Sequence, residues 1–315
     1  MALPRASAPL VRRLAVASVV ANSAIVVTGG VVRLTGSGLG CPTWPSCTEG
    51  SYTPTAAYAR HGLIEFGNRM LTFVVGLVAL ATLLAVLRHG RRSLVPLAVA
   101  AFLGIPAQAV LGGITVLTGL NPWTVATHFL LSMAVLATTV VLAWRAARPT
   151  DRSAIPAGPP GRPVGPELTW LVRAVVGLVA AVLVLGTVVT GSGPHAGDEA
   201  AARTGFDPAT VSQLHADAVM LLVGLTVAVV LWLRAAGAPA EARRAGAILL
   251  GAELAQGLVG FVQYFTGLPV VLVGIHLLGA CLVWIAAVRL VLAASTGTAP
   301  APGPAPAPRS EYAAT

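Results

Sequence analysis

Lysine is missing from this chain altogether, and charge of either sign is scarce. All 20 basic residues are arginine, acidic residues number 11, and charged side chains make up 10% of the 315 residues. Soluble domains carry about 25%, so an ordinary water-facing surface is excluded. Cysteine is almost missing too. There are three, too few and too scattered for the cysteine-rich sets that closed structural zinc sites often use.

What is abundant is apolar sequence: 56% of residues are hydrophobic, and the mean hydropathy is +0.83. Runs near 20 residues match the thickness of a bilayer core. Eight occur, at roughly 14–34, 64–87, 94–117, 124–144, 170–190, 213–233, 244–266 and 270–292. The first reads as a span rather than a cleavable signal. It ends in VTGGVVRL instead of a small-residue cleavage site, and further spans follow.

The arginines collect in alternate loops: Arg5, Arg12 and Arg13; Arg88, Arg91 and Arg92; Arg145, Arg148, Arg152 and Arg162; Arg234, Arg243 and Arg244. The positive-inside rule places these loops and both termini in the cytoplasm. The net charge of +9 therefore reports topology, and a nucleic-acid partner is not expected. Loops 35–63, 118–123, 191–212 and 267–269 face outward and carry chiefly Arg33, Arg60 and Arg203. Cys41 and Cys47, in GLGCPTWPSC, lie in the first of them. In a bacterial host that compartment is oxidising, and a disulfide is their natural state.

The Pro-, Gly- and Arg-rich segment 145–169 reads as a cytoplasmic linker. The low-complexity tail 293–315 reads as disordered. Four spans lie on each side of the linker, and the two sets resemble each other. QAVLGGITVLTGLNPWTVATHF and QGLVGFVQYFTGLPVVLVGIHL align without gaps at a spacing of 148, matching Gln108 with Gln256 and His128 with His276. LTGSG at 34–38 answers VTGSG at 189–193. Both sets run in the same sense, as in parallel repeats about an axis along the membrane normal. The expected fold is all-α: eight transmembrane helices as two four-helix bundles, 14–144 and 170–292, with both termini cytoplasmic.

Six histidines are present. His89 falls in a cytoplasmic arginine loop and His195 in an outer loop. His61, His128, His215 and His276 sit at or just inside the outer ends of the second, fourth, sixth and eighth spans. A lone intramembrane histidine commonly just bonds between helices. Four at a common depth suggest instead inward side chains able to grip a metal or cofactor. His215 and His276, on different helices, would supply both axial positions of a haem iron. No C-x-x-C-H run is present, so any haem is held non-covalently.

A second cluster lies in RHGLIEFGNRM. Glu65, Asn68 and Arg69 share a helix face, and ionisable residues in a span are functional candidates by default. Glu65 can serve as acid, base or charge stabiliser, or simply satisfy itself in an ion pair with Arg69. Arg33 and Arg69 could receive carboxylates such as haem propionates. Asp217 and Glu253 have no assignable role, and Cys281 reads as packing.

With these residues assembled, the chain resembles the haem A synthase family, membrane enzymes that convert haem O to haem A for terminal oxidases. The resemblance covers about 14–292 and rests on GSGLGCPTWPSC, EFGNR, and the histidines of THF, QLHAD and GIHLLG. It implies a C-terminal bundle holding haem b on His215 and His276. It further implies an N-terminal bundle holding the substrate haem near Glu65 and His128, and a disulfide between Cys41 and Cys47. The implied reaction oxidises one macrocycle methyl to a formyl group through a hydroxymethyl stage. Many relatives have histidine three residues after the glutamate, where this chain has Asn68. Asparagine is a poor iron ligand, so His128 is the only protein ligand expected at the substrate site.

The resemblance also implies a bacterial plasma membrane with haem sites toward its outer face, and a neighbouring farnesyltransferase that makes haem O. The electron acceptor stays open, and homo-oligomerisation is compatible with the sequence without being fixed by it. A b-type cytochrome that only passes electrons is the main alternative, and a transporter relaying protons through its histidines is a third.

Overall fold

The computed structural model of the protein describes residues 5–148 and 164–295. Most of the expected linker, and the tail from 296 onward, lie outside the described residues.

Eight long helices form: α1 Ala8–Leu34, α2 Ala59–His89, α3 Val95–Leu117, α4 Pro122–Ala146, α5 Pro166–Ser192, α6 Pro208–Ala235, α7 Ala240–Phe265 and α8 Val270–Ser295. No β-strand occurs among the described residues, only an isolated bridge between Thr48 and Ser51. All eight helices are long and apolar enough to cross a membrane. Large apolar side chains such as Leu63, Phe73, Leu77, Trp170, Phe265 and Val271 stand well exposed on them. So much exposed apolar surface fits hydrocarbon rather than water.

Most helices overrun the apolar runs that announce them. α1 starts at Ala8 and takes in Arg12 and Arg13; α2 starts at Ala59, which shortens the first outer loop to 35–58; α8 continues to Ser295, so residues 293–295 of the expected tail are helical. Arginine has a long stem that can lie along the helix while its head reaches water, so a helix need not stop where its apolar run does.

Helix starts are set locally. Ser7, Asn121 and Asp207 each accept a hydrogen bond from a first-turn N–H, and proline opens α4, α5 and α6. The Thr210 hydroxyl, then the Thr210 and Ala209 amides, hold the Asp207 carboxyl below its usual range. The two TGL stretches end α3 and α7 in the same way. Gly119 and Leu120 have φ of 62° and 59°, Gly267 and Leu268 of 77° and 60°. Leucine rarely adopts that left-handed conformation, so its recurrence marks a turn that the motif itself dictates.

Helices α1 to α4 pack in a ring, each against two neighbours, and α5 to α8 form a second ring. The rings meet where α1 and α4 touch α8 and where α4 touches α5. In each ring the second and fourth helices stand diagonally across the interior. The tightest packing lies toward one end: Leu136, Leu142, Leu168, Val172, Val175, Leu233, Leu249 and Leu290 are almost fully buried. All eight sit in the arginine-rich halves of their helices. The histidines lie toward the other end.

Candidate functional site

His128 stands six residues past the start of α4, His276 six past the start of α8, and His215 seven past the start of α6. At 1.5 Å per residue this is about 9–11 Å from each helix end. Every one of the three rings is half-buried, lies against a glycine of the preceding helix, and has a buried Nδ1 with no partner. A Cβ on Gly112 would lie 3.2 Å from Cε1 of His128, one on Gly186 3.4 Å from Cε1 of His215, and one on Gly260 3.3 Å from Cε1 of His276. Glycine at these places lets the ring settle directly on the helix backbone.

His215 and His276 stand on diagonal helices of the second ring. Across the first ring, the place diagonal to His128 is taken by Asn68 of α2. It too is backed by glycine, since a Cβ on Gly29 would lie 4.0 Å from its Nδ2. The Thr28 hydroxyl donates to Asn68 Oδ1 at 2.8 Å.

Matched glutamines steady two of the histidines. Gln256 Nε2 donates to the His276 carbonyl at 2.7 Å, directly across Gly279. Gln108 Nε2 donates at 2.7 Å to Ser132, whose hydroxyl bonds the His128 carbonyl at 3.0 Å.

Above Asn68, Glu65 is 5% exposed. Arg69 Nη2 donates to its Oε1 at 2.6 Å and Nε at 3.2 Å, and the Cys41 amide donates to Oε2 at 2.6 Å. The remaining Arg69 donors go to the carbonyls of Cys41, Thr43 and Ser46, at 2.8, 3.0 and 3.1 Å. The expectation of Arg69 as a propionate contact is thereby corrected: all five of its N–H groups are committed to Glu65 and the loop. That loop carries the Cys41–Cys47 disulfide. Closing so short a loop restricts the unfolded chain by about 2–3 kcal/mol. Trp44, at its tip, lies flat on Gly113 of α3, leaving no space for a Cβ.

Arg33 is partly committed. Its Nε donates to the His195 carbonyl at 2.5 Å and its Nη2 to the Thr190 carbonyl at 2.8 Å, capping the end of α5. His61 Nδ1 pairs with the Ser37 hydroxyl at 3.0 Å. His89 Nδ1 pairs with the Ala6 carbonyl. Cys281 is a buried free cysteine, and Asp217 accepts from Gln213 at 2.7 Å.

No group of three or more His, Cys, Asp and Glu is placed to hold a bare metal ion among the described residues. Two imidazoles on diagonal helices, each seated on a glycine of the helix before it, fit a macrocycle that brings four iron ligands of its own. Two features escaped sequence reasoning. For the glycines behind the rings there was a partial signal, since Gly112 and Gly260 fall at the same place in the aligned strings, but Gly186 lies outside them. The partner of Glu253, the Thr226 hydroxyl at 3.0 Å, left no such signal.

An all-helical chain with paired intramembrane imidazoles has the make-up of a membrane haem protein. Residues 12–288 match the COX15-CtaA family of cytochrome oxidase assembly proteins, and the chain belongs to that family. It is similar to the Heme A synthase of Listeria welshimeri, 34% identical over 131 residues, 41% of this chain and 43% of the relative. It is likewise similar to the Heme A synthase of Bacillus mycoides, 32% identical over 124 residues, 38% of each chain. The matched part spans less than half the length of these relatives.

Proposed function

We propose that the protein is a haem A synthase, an oxidoreductase that converts a methyl group of haem O to the formyl group of haem A. The observation that carries this reading is the buried Glu65, held between Arg69 and the disulfide loop in the same four-helix ring as the glycine-backed His128, in a member of this family. A carrier of electrons alone has no use for such a carboxylate. His215 and His276 would hold haem b, and His128 the substrate haem. Haem b, when bound, supplies one-electron redox chemistry.

The chain's own residues position and polarise. Glu65 has both oxygens fixed by donors, so its charge stays at one place on the inner face of α2. From there it can hold a proton, or stabilise positive charge as the substrate methyl is oxidised. Arg33 still has Nη1 to offer a propionate. The apolar flanks of the helices suit the isoprenoid tail of haem O.

The halves, 14–144 and 170–292, read as parallel repeats, supported by the matched TGL turns and glycine-backed histidines. The arginine bias puts both termini in the cytoplasm of a bacterial plasma membrane and the histidine end toward the outer face. A haem O synthase is the expected neighbour.

The test is the visible spectrum of detergent-purified protein from cells that also make haem O, followed by extraction and mass analysis of its haems. Haem b together with haem O or haem A is expected. Haem b alone, despite a supply of haem O, would refute the reading in favour of an electron carrier.

A further inference from the structure

Four places in the two rings have the same construction. A side chain on the second or fourth helix of a ring rests on a glycine of the helix before it. Three of these side chains are imidazoles, and the fourth is the amide of Asn68. The second ring therefore carries two such imidazoles on diagonal helices, and the first carries one.

Nothing nearby makes up the deficit. Glu65, one turn above Asn68, has both carboxylate oxygens engaged by Arg69 and the Cys41 amide. His61 is seven residues away on α2, about 10 Å along the helix, and pairs with Ser37. An amide is a poor ligand for iron, yet it is an effective donor. With Oδ1 engaged by Thr28, the end left over is Nδ2, which lies 4.0 Å from where a Cβ on Gly29 would be and donates to no acceptor among the described residues.

We propose that Asn68 leaves one axial position of the substrate haem without a protein ligand and serves it as a hydrogen-bond donor to a small exogenous ligand. The ligand class is a diatomic molecule or small anion with an acceptor lone pair. This rests on the reading above, in which His128 faces the substrate haem. A haem held by two histidines is closed to such ligands, whereas one held by a single histidine is open to them. The polarity and donors of the open side then decide what binds.

The experiment uses the full chain, purified in detergent from cells supplying haem O. It combines haem stoichiometry, electron paramagnetic resonance of the ferric protein, and titration with carbon monoxide (reduced) and cyanide (oxidised). Two haems per chain are expected, one low-spin and one high-spin, with carbon monoxide binding to half of the total. Asn68→His is expected to keep both haems but turn the high-spin signal low-spin and abolish carbon monoxide binding. Asn68→Leu is expected to keep the open position and weaken cyanide binding roughly 3- to 10-fold, the worth of one hydrogen bond. The low-spin signal of the second ring reports that each variant is folded.

Two low-spin haems that ignore carbon monoxide in the unsubstituted protein would overturn the inference and leave the synthase reading intact. A single haem per chain would remove the synthase reading, and the inference with it. Unchanged cyanide affinity in Asn68→Leu would overturn the donor role.

Discussion

The first four helices and the last four have the same ring, the same turn at TGL and the same glycine behind the fourth-helix histidine, yet they are filled differently. Midway down the first ring, Val75, Ala79, Ile105 and Val135 form an apolar cluster. Counting 147 or 148 residues on, the second ring has Leu222, Thr226, Glu253 and Val283. There Glu253, 3% exposed, accepts from Thr226 with one oxygen and has no partner for the other. At the histidine end the contrast reverses. The first ring holds the acid, the arginine and the disulfide loop, and the second holds a pair of imidazoles. The scaffold is common to both, and the polar groups are distributed so that each ring can do separate chemistry.

The sharpest break of this comparison is His276→Ala. On the proposed reading His276 binds iron directly, and loss of a direct ligand exceeds the 10- to 100-fold typical of residues that only support one. Haem b affinity should fall by more than about 100-fold, with the haem on His128 retained, as read by haem titration and resolved spectra.

Arg69→Leu should damage the first ring alone. It leaves Glu65 buried without its cation and removes three bonds to the loop. A cost of about 3 kcal/mol is expected, measured by denaturant unfolding in detergent, with the haem b spectrum unchanged.

Alanine at the backing glycines grades the four places against one another. At Gly112, Gly186 and Gly260 the new Cβ would press on a ring, at 3.2–3.4 Å, and roughly tenfold weaker haem binding is expected at the affected site. At Gly29 the nearest atom is 4.0 Å away, an ordinary contact, so Gly29→Ala should bind haem as the unsubstituted protein does. Equal effects at all four would show that the rings are not seated on the glycines.

The smallest effect concerns the mid-ring contrast. Thr226→Val removes the one hydrogen bond of Glu253 and should cost about 1–2 kcal/mol. Ala79→Ser, at the matching place in the first ring, has no buried carboxyl to serve and should give no comparable gain in the same unfolding measurement.

Much of this was legible before any coordinates. Eight spans follow from the arithmetic of bilayer thickness, because each helix must satisfy its own backbone in hydrocarbon. His215, His276 and His128 stood out because an imidazole is costly in a span, and because aligning the two halves pairs His128 with His276. Helix ends were less legible. The apolar run stops where the bilayer core stops, whereas helices such as α1 and α2 continue into a region that accepts arginine.

Composition and spacing by themselves determined the helical class, the number of spans, the alternation of arginine-rich loops and the identity of the histidines, since each depends on residues close together in the chain. Only the tertiary structure decided which helices stand diagonally and what lies behind each ring. It also decided that Arg69 is spent on the Cys41–Cys47 loop and that Glu253 reaches Thr226. Those pairings join residues from 16 to 29 positions apart in the chain. Nothing local to either partner encodes them, because they depend on how whole helices rotate and dock.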